Sequence, residues 1–231
     1  VSGGHGFNSV HGRMPSVATG ANAANRNLHY IGVSGDGDSL SIGLGQFCHA
    51  IRRNVDMVYM LENNGVYGLT KGQFSASADV GSTAKKGEVN NQPPIDPVQL
   101  ALTLGAGFVA RSFSGDKAQL VPLIEGAIRH GGAAFIDVIS PCVAFNNHEG
   151  STRSYDYVRE HNEAISRIDF IDLAKEIKAE PSPGEVLELP QHDGSVMRLR
   201  KLHADHDPTD RRAAMNHVQA LQAKGEVVTG L

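Results

Sequence analysis

The chain contains no tryptophan, an absence that by itself excludes nothing. Its shortage of cysteine says more. Only Cys48 and Cys142 occur among 231 residues, too few for a disulfide-rich scaffold. Two thiols in an ordinary, glycine-containing composition fit a reducing cytoplasm better than the extracellular space. An excess of positive charge is also missing. Lys and Arg number 21 against 25 Asp and Glu, and the formal charge of −4 offers no attraction to nucleic acid or to an anionic membrane. No apolar run approaches the roughly 20 residues that span a bilayer. The first residues lack a basic start followed by an apolar stretch, so no secretory signal is expected. There is no internal repeat and no low-complexity tract. What remains is 40% hydrophobic and 20% charged, the make-up of a globular protein with a real core. The chain opens on Val1 within Gly- and His-rich sequence and closes on Gly230-Leu231, which reads as an N-terminally truncated piece of a longer subunit.

The order of apolar segments predicts the architecture. Residues 16–24 form a short helix with Pro15 at its first position. Residues 28–34 read as a buried strand that runs into Gly35. Leu40, Leu44, Phe47, Cys48 and Ile51 fall at helical spacing over 39–53, and VDMVYMLE over 55–62 is again of strand length. Such a strand–helix–strand unit requires a parallel, right-handed crossover. Residues 68–94 show no period. Helix, strand, helix and strand then follow over 96–104, 108–113, 117–129 and 133–140, the pattern of a doubly wound α/β sheet. Beyond residue 151 the chain turns polar. A hairpin is expected from 185–190 and 195–200 about Asp193-Gly194, and a closing helix over 209–224 capped by Thr209 or Asp210. Residues 151–231 therefore read as an arm that lacks its own core and packs on another subunit.

Asp36 and Asn64 each follow a predicted strand of one parallel unit, at the carboxyl ends where α/β sheets bind ligands. A carboxylate, a carboxamide oxygen and a nearby backbone carbonyl are hard donors suited to Mg²⁺, which shares its sphere with phosphate oxygens. Gly35 and Gly37 allow close backbone approach to a diphosphate, and the following helix points its first amides at it. Gly-Asp-Gly or Asn-Asn-Gly alone would be a common turn. It is their joint occurrence, each after an apolar strand, that indicates a metal site.

GDGD at 35–38 followed by ENNGVYGLTKGQFS at 62–75 resembles the thiamine-diphosphate motif of β subunits of 2-oxoacid:ferredoxin oxidoreductases. HGR at 11–13, RRN at 52–54 and SPCVAFNN at 140–147 match the same family in the same order. The resemblance covers about residues 9–150 and continues more weakly through the tail. YGLTKGQ is its specific element, since all thiamine-diphosphate enzymes share GDG and NN. It implies a thiamine-diphosphate-binding α/β domain over 1–150, a doubly wound, mostly parallel sheet with a polar C-terminal arm over 151–231. It implies Mg²⁺ coordinated by Asp36, the Asn64 side chain and the Val66 carbonyl. Gly37, Asp38, Gly68 and Leu69 would line the diphosphate and cofactor body, with His11 reaching in from the preceding loop. Lys71 is the candidate catalytic residue, a flexible point charge for an anionic substrate or the phosphates of coenzyme A. Arg52 and Arg53 read as charges favourable at a helix C-terminus.

In that family the cysteine of SPC-x-x-FN resembles the distant fourth ligand of a [4Fe–4S] cluster. Cys142 holds that place; the three upstream ligands are missing, and Cys48 falls within a helix. The implied activity is coenzyme-A-dependent oxidative decarboxylation of a 2-oxoacid, with electrons passed to ferredoxin and an α subunit supplying the rest of the site. The long polar tail resembles 2-oxoglutarate-type subunits. Two rival readings stand beside this one. A non-oxidative acetolactate-synthase-type carboligase or decarboxylase would share GDG and NN but not YGLTKGQ or the SPC cysteine. A non-catalytic scaffold fragment would have no use for intact Asp36, Asn64 and Lys71. His203, His206 and nearby aspartates read as solvated turns rather than a metal site.

Overall fold

Short apolar segments of strand length make a four-stranded parallel sheet in the order β1-β2-β6-β5. The computed structural model describes residues 4–84, 86–165, 177–191 and 194–230. The sheet strands are β1 (Ile31–Gly35), β2 (Met57–Asn63), β5 (Phe108–Phe113) and β6 (Ala133–Ile139). All seven residues of β6 are buried, as a central parallel strand covered on both faces should be.

Alternation along the strands feeds two cores. Met57, Tyr59, Leu61, Ala133 and Phe135 face one side, where α2 (Leu44–Arg52) and α3 (Pro97–Leu104) pack. Val58, Ala134, Ile136 and Val138 face the other, under α4 (Lys117–Arg129). Helices on both faces of a parallel sheet make the fold doubly wound. Phe47, Tyr59 and Phe135 meet edge to face, with centroids 5.1 to 6.0 Å apart.

The helix expected over 39–53 is divided. Residues Gly37–Ile42 form a π-helical turn in which the Gly43 N–H donates to the Asp38 carbonyl at 2.8 Å, and α2 begins only after Gly43. The break coincides with a contact from elsewhere in the chain. The backbone of Gly12 lies against Gly43, so closely that a Cβ on Gly43 would sit 2.8 Å from the Gly12 Cα. Helical periodicity over 39–53 carries no sign of this. The first helix, α1 (Met14–Ala24), has Pro15 in its opening turn. The aperiodic stretch holds a small antiparallel hairpin, β3 (Val66–Tyr67) with β4 (Gln73–Phe74).

The region after residue 150 builds a second sheet, β10-β7-β9-β8, from β7 (Asn162–Ala164), β8 (Val186–Pro190), β9 (Val196–Arg200) and β10 (Val227–Thr229). β8 and β9 form the expected antiparallel hairpin. Asp193 of its turn lies outside the described residues, while Gly194 takes the left-handed conformation at φ 83°. Ser154 caps α5 (Tyr155–His161) and Asp210 caps α6 (Arg211–Gln222). This region also touches its own α/β domain. Val218 joins the first core, Val158 packs with Phe113 and Ile139, and Gly230 exchanges backbone hydrogen bonds with Arg111 at 3.0 and 2.8 Å.

A buried charge network joins the two parts. Arg111 on β5 donates to Asp137 of β6 at 2.7 Å and to Asp96, the N-cap of α3, at 2.9 Å. The Gln222 amide of α6 also donates to Asp96. Burial pushes the Asp137 carboxyl up despite Arg111. At Asp96 burial acts the same way, but Arg111 and the cap hydrogen bonds outweigh it and hold the carboxyl below its ordinary range. Arg111→Met keeps an apolar stem and removes the charge shared by both carboxylates. It is expected to lower the unfolding free energy by about 3–5 kcal/mol, read as a reduced urea midpoint with unchanged slope. A loss below about 1 kcal/mol would mean that water already reaches these carboxylates.

Candidate functional site

Parallel pairing of β1 with β2, in the register Gly35 opposite Glu62, brings their carboxyl ends side by side. Asp36 leaves β1 there, and the turn at residues 63–65 leaves β2. Asp36 is only 1% exposed. Its Oδ2 accepts hydrogen bonds from the Gly65 N–H at 2.8 Å and from the hydroxyls of Ser75 and Ser77 at 2.5 Å each. The carboxamide oxygen of Asn64 accepts from the Val66 N–H at 2.9 Å, and the Asn64 carbonyl accepts from the Asn146 amide at 2.8 Å. The turn is thus pinned at both ends, with Asp36 and Asn64 on one corner.

Gly37 packs beneath the hairpin. A Cβ there would lie 2.5 Å from the Tyr67 ring, whose hydroxyl donates to the Gly37 carbonyl at 3.0 Å. Asp38 directs both carboxylate oxygens into the chain. Oδ1 accepts from the Gly12 N–H at 2.7 Å and pairs with His11 Nδ1 at 2.9 Å, while Oδ2 accepts from the Ser34 hydroxyl. The carboxylate selects the tautomer with its proton on Nδ1 and leaves Nε2 of the exposed ring free to accept. Asp38 therefore braces the His11 loop. Below it, Tyr59 donates to Ser39 in the π-helical turn at 2.8 Å. Burial raises the Tyr59 phenol far above its ordinary range, so it stays a donor.

Gly68, Leu69 and Lys71 sit on the loop joining β3 to β4. Leu69 is 94% exposed, and Lys71 is exposed with a left-handed backbone, φ 79°. Only Lys71 and Asn54 among the described non-glycine residues have positive φ, a conformation that costs about 1–3 kcal/mol. Among the described residues no hydrogen bond ties the Lys71 side chain to Asp36, Asp38 or Asn64. Cys142 follows β6 and lies against the same loop: a Cβ on Gly68 would meet its sulfur at 3.1 Å. A cavity of about 310 Å³ adjoins the turn, lined in part by Val66, Gly72, Phe74, Phe145 and His148.

The donor chemistry fits Mg²⁺. The corner offers one carboxylate, one carboxamide oxygen and backbone carbonyls, and among the described residues no group of three or more His, Cys, Asp or Glu could hold a metal. Mg²⁺ is usually held by one or two carboxylates, with phosphate and water completing its sphere. A four-thiolate cluster does not fit. Cys48 and Cys142 are the chain's two cysteines, both free, and the Cys48 thiol is pushed up by burial.

Sequence reasoning gave no role to Ser75, Ser77 or Arg153 and took Asn63 only as the first half of the Asn63-Asn64 pair; the two serines reach Asp36, and Asn63 and Arg153 lie behind them. Ser77 contacts Asn63 Oδ1 at 3.0 Å, the Asn63 amide donates to Asp137 at 3.1 Å, and Arg153 Nε donates to Asn63 Oδ1 at 3.2 Å. The one available signal was Ser-x-Ser at 75–77, which begins on the last residue of the 62–75 motif.

The model of the C-terminal TPP-binding domain of thiamine pyrophosphate enzymes matches residues 2–138. The chain is 42% identical over 144 residues to 2-oxoglutarate oxidoreductase subunit KorB of Mycobacterium tuberculosis, covering 62% of this chain and 39% of the relative. To the 2-oxoacid:ferredoxin oxidoreductase subunit beta of Saccharolobus solfataricus it is 44% identical over 145 residues, covering 62% and 47%. The chain thus spans less than half the length of these relatives. Among solved structures, the 2-oxoglutarate:ferredoxin oxidoreductase from Magnetococcus marinus, with 2-oxoglutarate, coenzyme A and succinyl-CoA bound, is similar with a TM-score of 0.64. Identity there is 30%, covering 94% of this chain and 69% of the other.

The contact between Gly37 and Tyr67 can be tested alone. Gly37→Ala forces the ring away and breaks its hydrogen bond to the Gly37 carbonyl. A stability loss of about 1–3 kcal/mol is expected, the usual range for overpacking, read as a lowered urea midpoint. Wild-type stability in Gly37→Ala would show that the hairpin does not rest on this corner.

Proposed function

The chain belongs to the thiamine pyrophosphate enzyme family, among the β subunits of 2-oxoacid:ferredoxin oxidoreductases, and on that premise we propose that it binds Mg²⁺–thiamine diphosphate for oxidative decarboxylation. The substrate is proposed to be 2-oxoglutarate, with coenzyme A as acyl acceptor, ferredoxin as electron acceptor and an α subunit completing the site. Supporting this are the relatives' names and the ligands of the Magnetococcus marinus enzyme. The observation that carries the reading is the Asp36 carboxylate, buried at the end of β1 and turned toward the Asn64 corner of β2.

Asp36, Asn64 and the Val66 carbonyl would hold Mg²⁺, with Gly37 and Gly68 giving the diphosphate close backbone approach. When bound, thiamine diphosphate supplies the nucleophile and electron sink that decarboxylation of a 2-oxoacid needs. The chain's own residues orient and bind. Asp38 fixes His11 with Nε2 free to accept a proton or hydrogen bond. Lys71, exposed on its hairpin loop, offers a mobile positive charge to the anionic substrate or to coenzyme A phosphates. Cys142, beside Gly68, would be one ligand of a [4Fe–4S] cluster whose remaining thiolates this chain does not contain. The polar region after residue 150 would face the α subunit with surfaces left free by its own domain. We place the protein in the cytoplasm on its two free thiols. Among the described residues no helix is long and apolar enough to cross a membrane.

The test uses the β subunit assembled with its partner and follows viologen reduction with 2-oxoglutarate or pyruvate, with and without coenzyme A. Faster, coenzyme-A-dependent reduction with 2-oxoglutarate is expected. Asp36→Ala should lower it at least about 100-fold, the loss that a misplacement of ~1 Å can cause. Decarboxylation without dye reduction would identify a non-oxidative enzyme, and no calorimetric heat with Mg²⁺ and thiamine diphosphate would leave only a scaffold.

A further inference from the structure

The two oxygens of Asp36 have different surroundings. A carboxylate oxygen has about two lone-pair sites. Oδ2 already meets three donors: the Gly65 N–H, the Ser75 hydroxyl and the Ser77 hydroxyl. No side remains from which a cation could share it. Ser75 and Ser77 are themselves buried, at 6% and 0% exposure, so water does not compete for their protons.

The brace is also held from behind. Ser77 lies 3.0 Å from Asn63 Oδ1. The orientation of that amide follows from its neighbours: its nitrogen donates to the Asp137 carboxylate at 3.1 Å, and its oxygen accepts from Arg153 Nε at 3.2 Å. Turning the amide over would set oxygen against carboxylate and nitrogen against guanidinium. Ser77 has one proton; the Asp36 carboxylate, the charged and nearer acceptor, takes it, and Asn63 Oδ1 is satisfied by Arg153 Nε instead. Arg153 fastens the same segment through the Ser77 carbonyl at 3.0 Å.

We propose that Ser75 and Ser77 are positioning residues that occupy Oδ2 of Asp36, reserve Oδ1 for the metal, and so set the preference of the site for Mg²⁺ over Ca²⁺. This rests on the Mg²⁺–thiamine diphosphate reading above. The physical reason is coordination number. Mg²⁺ takes six oxygens at about 2.0–2.1 Å and is satisfied by a single carboxylate oxygen. Ca²⁺ takes six to eight at about 2.3–2.6 Å and readily uses both oxygens of one carboxylate. With Oδ2 saturated, the two-oxygen mode is closed. Removal of the hydroxyls leaves only the Gly65 N–H on Oδ2 and opens it.

The test is calorimetric titration of Mg²⁺ and, separately, Ca²⁺ into the chelator-treated complex with its partner subunit, saturated with thiamine diphosphate. The variants are Ser75→Ala, Ser77→Ala and the pair together. For the pair, Mg²⁺ affinity should fall about 10- to 100-fold, the usual effect of losing a partner of a metal ligand. Ca²⁺ affinity should change far less, so the Mg²⁺/Ca²⁺ ratio drops at least about tenfold. Ser75→Thr keeps the hydroxyl and should keep the wild-type ratio. Both alanine substitutions delete an oxygen and create no clash, and the single variants carry the comparison should the pair unfold. A merely structural role would weaken both cations equally. An unchanged ratio in folded variants overturns the inference while leaving the cofactor reading intact. A wild-type complex that takes up no Mg²⁺ overturns both.

Discussion

A carboxylate as deeply buried as Asp36 costs several kcal/mol unless its charge is met by nearby donors. Here three donors come from two separate stretches: the backbone of Gly65 after β2, and the hydroxyls of Ser75 and Ser77 after β4. Each stretch is held where it is because that charge attracts it. The site is therefore a condition of the local fold as much as a product of it, and the Asn146 amide on the Asn64 carbonyl and Arg153 on the Ser77 carbonyl hold the same two stretches from the other side.

The same constraint extends outward through polar contacts. Ser77 touches Asn63, Asn63 donates to Asp137, Asp137 pairs with Arg111, and Arg111 reaches Asp96, which also accepts from Gln222 of α6. A continuous line of polar contacts thus runs from the proposed metal ligand across the sheet to the C-terminal region. Buried networks of this kind are stable only when every member is satisfied. On the other flank, Asp38 draws in Gly12 and His11, and Gly12 lies against Gly43 where the π-helical turn ends. The two acidic residues of GDGD accordingly do different work. Asp36 organises the segments after it in sequence, and Asp38 organises the segment before it.

Much of this was legible beforehand. The strands at 108–113 and 133–139, the helix at 117–129 and the hairpin after residue 185 follow from apolar alternation, capping aspartates and turn glycines, all local signals. The placement of Asp36 and Asn64 at neighbouring strand ends followed from one strand–helix–strand repeat. The helix expected over 39–53 is divided at Gly43, where it meets Gly12, a long-range contact that no periodicity within the helix records. The region after residue 150 reads as an arm that lacks a core of its own and packs on another subunit; within the chain, Val158 and Val218 also pack on the α/β domain.

By itself the sequence determined the parallel α/β order, the chemistry of the Asp36 and Asn64 corner and the distinctive hairpin motif that follows. These depend on residue types and on spacings within one or two elements. Only the tertiary structure decided which oxygen of Asp36 meets the Gly65, Ser75 and Ser77 donors, and how Asn63 is turned. Ser77 lies 41 positions from Asp36, and Asp137 lies 74 from Asn63. Hydrogen bonds at such separations have no period to betray them; they exist because packing of the sheet closes the distance, and because a buried charge must be met by whichever donors that packing brings near.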